Sequence, residues 1–242
     1  MDNENKRGVT LFHEGFTAQH RILGRFSAYT TCVLLIVYAV TTILGLFSLQ
    51  SPQDPISDPF FSMMELLIVL IAPLMVISMV AVHAYASSEV KVYSLTALLF
   101  MILMAGITSC VHFTVLTVSR QIGAAGLPGA SLLFSFTWPS VVYTVDILAW
   151  DWFFALSMLF AAPVFRKNRL ERTVRGLMIV SGILSLVGLL GVPLANMHVR
   201  NIGILGYAVV AIVVFLLLGM VFGRAHVGLE DAASRYEAGK HE

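Results

Sequence analysis

WPSVVYTVDILAWDWFFALSMLFAAPVF, residues Trp138–Phe165, is long enough to cross a bilayer, yet it carries Asp146 and Asp151 inside an apolar and aromatic run. At 1.5 Å per residue a helix of this length reaches about 42 Å, against a hydrocarbon core of about 30 Å. An ionisable group at that depth costs about 2.5–3.5 kcal/mol on insertion scales, so such residues face protein or water and are read as functional by default. Splitting the stretch at Asp151 would leave its second half too short to cross. One long helix, tilted or bent towards its end by Pro163, is therefore expected.

The rest of the chain has the same character. Of 242 residues, 58% are apolar and 12% charged, well away from the even apolar balance and roughly 25% charge of soluble domains. The net charge of +1 excludes a general basic surface for nucleic acid. Cys32 and Cys110 both lie in apolar runs, which argues against a disulfide framework. No short apolar core precedes a small-residue cleavage site, so the first span is expected to remain as an anchor.

Five further stretches reach spanning length, giving spans at about 26–48, 61–84, 92–118, 138–165, 174–195 and 203–222. The expectation is an all-α, polytopic bundle of six transmembrane helices, forming one domain over 26–224. Residues 1–25 and 225–242 are read as tails. Leu11, Phe12, Phe16 and Leu23 suit a short interfacial helix in the first tail, with His13, His20 and Arg21 towards water. Of the fifteen lysines and arginines, thirteen fall on one side of this arrangement and only Arg120 and Arg200 on the other. The positive-inside rule then places both termini in the cytoplasm of an inner (plasma) membrane.

With orientation assigned, the rise per residue converts position into depth. Glu65 lies about 6 Å below the outer end of span two, His112 about 9 Å in span three and Asp146 about 12 Å in span four. Thr41, Thr42 and Tyr207 reach a similar level. Three ionisable side chains from three spans thus share one layer of the outer leaflet. In span four, Pro139, Tyr143, Asp146 and Trp150 follow i, i+4, i+7 and i+11 and form one stripe. Asp151 falls about 140° round the helix from Asp146, with Ser181 and Ser185 of span five as expected partners. His198 and Arg200, in NMHVRNI, are read as an outer loop able to cover the layer or to attract an anion towards it.

Asp146, His112, Glu65, Tyr143, Trp150 and Asp151 are accordingly the expected ligand-binding or proton-accepting residues. The structural alternative is that the acids only tie helices together. Neither HExxH, CxxC, GxSxG nor SxxK occurs. No metal set or catalytic residue is assigned on that basis, and the cofactor is left open. The small residues of span five, Ser181, Gly182, Ser185, Gly188 and Gly191, are expected to permit close helix approach. Met63, Met64, Met75, Met79, Met101 and Met104 are expected to fill the core. Three functional classes fit this pattern. The first is a protein that binds or transports a small or lipid-like ligand. The others are an intramembrane enzyme acting on a lipid or isoprenoid, and a non-catalytic subunit or scaffold. Membrane lipids are the expected partners, together with further copies of the chain or a larger membrane complex.

Overall fold

A computed structural model of the protein describes residues 16–51, 54–124, 126 and 128–225. The described residues form helices and no strand, and six helices are long and apolar enough to cross a membrane. They are α1 (Ala18–Phe47), α2 (Phe60–Tyr85), α3 (Ser88–Ile122), α4 (Val141–Val164), α5 (Arg169–Leu189) and α6 (Met197–Arg224). A helix satisfies its own backbone, which is why apolar segments of this length take that form where water is absent.

The starts of α1 and α6 lie well before those of the sequence reading, and in both a side-chain cap is responsible. α1 begins at Ala18 rather than near Phe26. The Thr17 hydroxyl accepts from the His20 backbone N–H, and the His20 ring accepts from the Thr17 N–H. Residues 18–25 are thus part of the first long helix, not a separate surface helix. Phe16 is buried against Tyr85 and Phe222. Leu11, Phe12 and His13, with the rest of 1–15 and the tail 226–242, lie outside the described residues. At the start of α6, Asn196 caps the helix by accepting from the N–H groups of His198 and Val199. The supposed loop NMHVRNI is therefore mostly helix, and Arg200 stands inside α6.

The helices close a ring in chain order. Each packs on the next, and the 211–224 part of α6 returns to α1. Along 197–210 α6 packs on α5 and barely meets α1. Met75, Met79, Met101, Met104, Phe154 and Phe215 are wholly buried in the shared core. Met63 is instead exposed, and Met64 lines a cavity described below. Small residues do permit close approach on α5. A Cβ added to Gly182 would meet Leu159 at 2.7 Å, and one added to Gly188 would meet the Gly203 backbone at 2.6 Å. Ser181 does not reach Asp151; its hydroxyl donates to the Gly206 carbonyl at 2.9 Å.

At the end of the bundle that carries the described termini, Glu171 organises the turn between α4 and α5. Its carboxylate accepts from Tyr85 Oη (3.0 Å), the backbone N–H groups of Arg166 (3.0 Å) and Lys167 (2.8 Å), and Asn168 Nδ2 (2.9 Å). Asn168 in return caps α5 through the Glu171 N–H. Glu171→Gln keeps the shape and removes the charge, so about 1–2 kcal/mol of stability should be lost. Thermal unfolding in detergent reads this directly; an unchanged midpoint would show that the turn does not depend on the charge.

Candidate functional site

At the opposite end of the bundle, α2, α3 and α4 bring together three ionisable side chains. His112 Nδ1 lies 2.6 Å from Glu65 Oε2, and its Nε2 lies 3.2 Å from Asp146 Oδ1. The second pair has ion-pair distance, but its angle does not suit a hydrogen bond. Asp146 Oδ1 also accepts from Thr108 Oγ1 at 3.0 Å, and Thr108 Oγ1 accepts from Trp150 Nε1 at 2.9 Å. A single polar line thus runs Glu65, His112, Asp146, Thr108, Trp150. All five side chains are buried. Thr108 precedes His112 by four residues and so shares its helical face; the sequence reading passed over it because a threonine in an apolar helix is unremarkable.

The line is extended, not convergent. Among the described residues, no group of three or more His, Cys, Asp or Glu is arranged so that it could hold a metal ion. Both imidazole nitrogens face carboxylates. A neutral ring carries one N–H and can serve only one of them as donor; an imidazolium can serve both.

Asp151 belongs to a second pair. Its Oδ2 lies 3.7 Å from Arg200 Nε, with both residues buried. This corrects the expectation of a serine partner on α5. Neither carboxylate oxygen of Asp151 nor Arg200 Nε has a hydrogen-bond partner among the described residues. The guanidinium sits 5.1 Å from the Tyr143 ring centroid and 5.9 Å from that of Tyr207, both within cation–π range. Asp146 and Asp151 therefore serve different partners, as their angular separation on α4 requires.

Backbone irregularities frame these pairs. α4 is π-helical over Leu148–Phe154, α6 over Leu205–Val210 and α3 over Val115–Ser119. Extra residues per turn change the direction in which the following side chains point. The first segment carries Trp150 and Asp151, the second Tyr207, and the third begins three residues after His112. Gly203 makes room for Asp151: a Cβ there would collide with Asp151 Oδ1.

Between the two pairs lies a cavity of about 270 Å³. His112, Asp146, Tyr143, Trp150 and Arg200 line it, with Tyr38 and Thr42 from α1 and Ile204, Tyr207 and Ala208 from α6. Trp150 and Tyr207 pack ring against ring at 5.3 Å. Phe136, from the connection that carries the short helix Ala130–Phe134, covers His112 (5.3 Å between centroids) and meets Tyr143 edge-on (5.2 Å). Phe136 and Tyr38 were invisible as site residues in the sequence, since one lies in a loop and the other in an apolar span. His198 is exposed and is not part of the cavity wall. Above the cavity, Arg120 reaches Asp58 at 3.0 Å. The hydroxyl of Ser62, donating to Asp58, holds that carboxyl below the usual range.

The chain matches no protein-family model, no curated protein and no solved structure.

Proposed function

We propose that this protein binds a small or lipid-like ligand in the cavity between α1 and α6, within a membrane it spans with both termini on the cytoplasmic side. The observation that supports this most is Arg200. It is a buried cation that lines a cavity, and its Nε has no hydrogen-bond partner among the described residues. Buried polar groups are ordinarily satisfied, and an unsatisfied one beside a cavity is explained by a group that comes and goes. The Glu65–His112–Asp146 line gives the wall a place to hold a proton, so occupancy and protonation are coupled. The orientation rests on the basic residues near 21–25, 91, 166–175 and 224, which cluster at the end opposite the cavity. On this reading the site lies in the outer leaflet of an inner membrane.

Turnover of a lipid by Asp146 and His112 as acid and base is less well supported, because both nitrogens of His112 already face carboxylates. A structural role has one specific observation in its favour: the Thr108–Asp146 and Trp150–Thr108 bonds tie α3 to α4. Native mass spectrometry of the protein purified in mild detergent separates the two readings. Ligand binding predicts a retained small molecule on wild-type protein that is missing from Ala208→Trp, where the new ring fills the cavity. No retained molecule, or equal retention by both, favours the scaffold.

A further inference from the structure

Resting on the reading of this cavity as a ligand site, we propose that its ligand is a neutral, flat, carbonyl-bearing ring with an apolar tail, of the quinone class, that enters sideways from the bilayer between α1 and α6.

The route follows from packing. α1 and α6 are held together along 211–224, whereas along 197–210 they barely meet. Tyr38 and Thr42 on α1 and Ile204 and Ala208 on α6 line the cavity and are half-exposed. The gap therefore runs from the cavity to the lipid-facing side of the bundle. Leu205 and Val209, next to it on α6, are exposed apolar residues suited to acyl chains. A ligand dissolved in the membrane can leave its tail in this gap.

The head-group chemistry follows from charge. Even with His112 protonated, His112 and Arg200 face three carboxylates, those of Glu65, Asp146 and Asp151. An anionic head would add a fourth negative charge to a low-dielectric site, and a cationic head would meet the Arg200 guanidinium. Asp151 stands at 3.7 Å, too far to accept a hydrogen bond from Arg200 Nε, and a carbonyl oxygen supplies a closer acceptor without charge. The wall supplies the rest. Tyr38, Phe136, Trp150 and Tyr207 present rings to the cavity, and aromatic faces pack well on a flat conjugated ring. A cavity of about 270 Å³ accommodates a ring and its substituents but not a phospholipid.

The test uses the full chain in detergent, with decylubiquinone as the probe and oleate and dodecyltrimethylammonium as anionic and cationic controls. Isothermal titration calorimetry should show saturable binding of decylubiquinone at one site per chain, with neither control competing. Arg200→Lys keeps a cation beside Asp151 but loses the planar fork, and should weaken binding roughly tenfold. Ala208→Trp leaves every polar group in place and should abolish binding by filling the entrance, so the inference survives even if Arg200→Lys folds poorly. Unchanged decylubiquinone affinity in Ala208→Trp overturns it. So does unchanged affinity in a well-folded Arg200→Lys. Binding of oleate or the ammonium but not the quinone, lost in Ala208→Trp, leaves the ligand cavity standing and rejects the head-group assignment. If no probe binds and native spectrometry finds no retained molecule, the cavity reading fails too.

Discussion

His112→Ala is expected to destabilise the protein by about 3–5 kcal/mol, the range for removing one partner of a buried charged pair. The reason lies in what remains. Glu65 is 2% exposed, and its one described hydrogen-bond partner is His112. Asp146 keeps Thr108 but loses the only described cation within ion-pair distance. Two carboxylates would then be buried without the imidazole that stands between them. The double variant His112→Ala, Glu65→Leu should recover much of the loss, because it removes one of the two uncompensated acids and fills volume with apolar atoms. Thermal unfolding of parent, single and double variants in one detergent measures this coupling. If His112→Ala melts with the parent, the line is not a coupled unit and the wall cannot hold a proton as proposed.

Gly188→Ala should cost about 3 kcal/mol, the upper end for an overpacked contact. An added Cβ would lie 2.6 Å from both Cα and N of Gly203 and 2.8 Å from the carbonyl oxygen of Arg200. These are backbone atoms, so no rotamer change relieves the clash and α5 must move away from α6. That movement shifts the turn that carries Arg200 and Gly203, and with it the contact to Asp151. Gly106→Ala is the control. Nothing lies within 4 Å of a Cβ there, so the better helix propensity of alanine should leave stability equal or raise it by up to about 1 kcal/mol. Equal melting of the two variants would mean that α5 and α6 are not packed as closely as described.

Depth along a helix depends on one quantity, the rise per residue, and that quantity depends little on the neighbours. It is why Glu65, His112 and Asp146 could be assigned a common level from sequence, and the structure does bring them within bonding distance. Arg200 departs from its sequence expectation for the opposite reason. Its position in the chain suggested a loop, but Asn196 caps the helix early and carries Arg200 into the bundle. Asp151 was given the wrong partner because the order of helices around the ring is absent from hydropathy. Ser185 stands on the neighbouring helix, yet its hydroxyl donates to the carbonyl of Ser181 on its own helix.

Sequence alone determined that the described chain is helical with six apolar helices of spanning length, and which polar residues would be costly if left to face lipid. Hydropathy and helix length decide those matters locally, one segment at a time. Tertiary structure alone decided the partner of each buried charge, the cavity between them and the gap between α1 and α6. In a bilayer the lipid-facing and protein-facing sides of a helix are both apolar, so composition carries little record of which way a side turns. The π-helical turns in α3, α4 and α6 change that direction again, and only the packed bundle reveals where it ends.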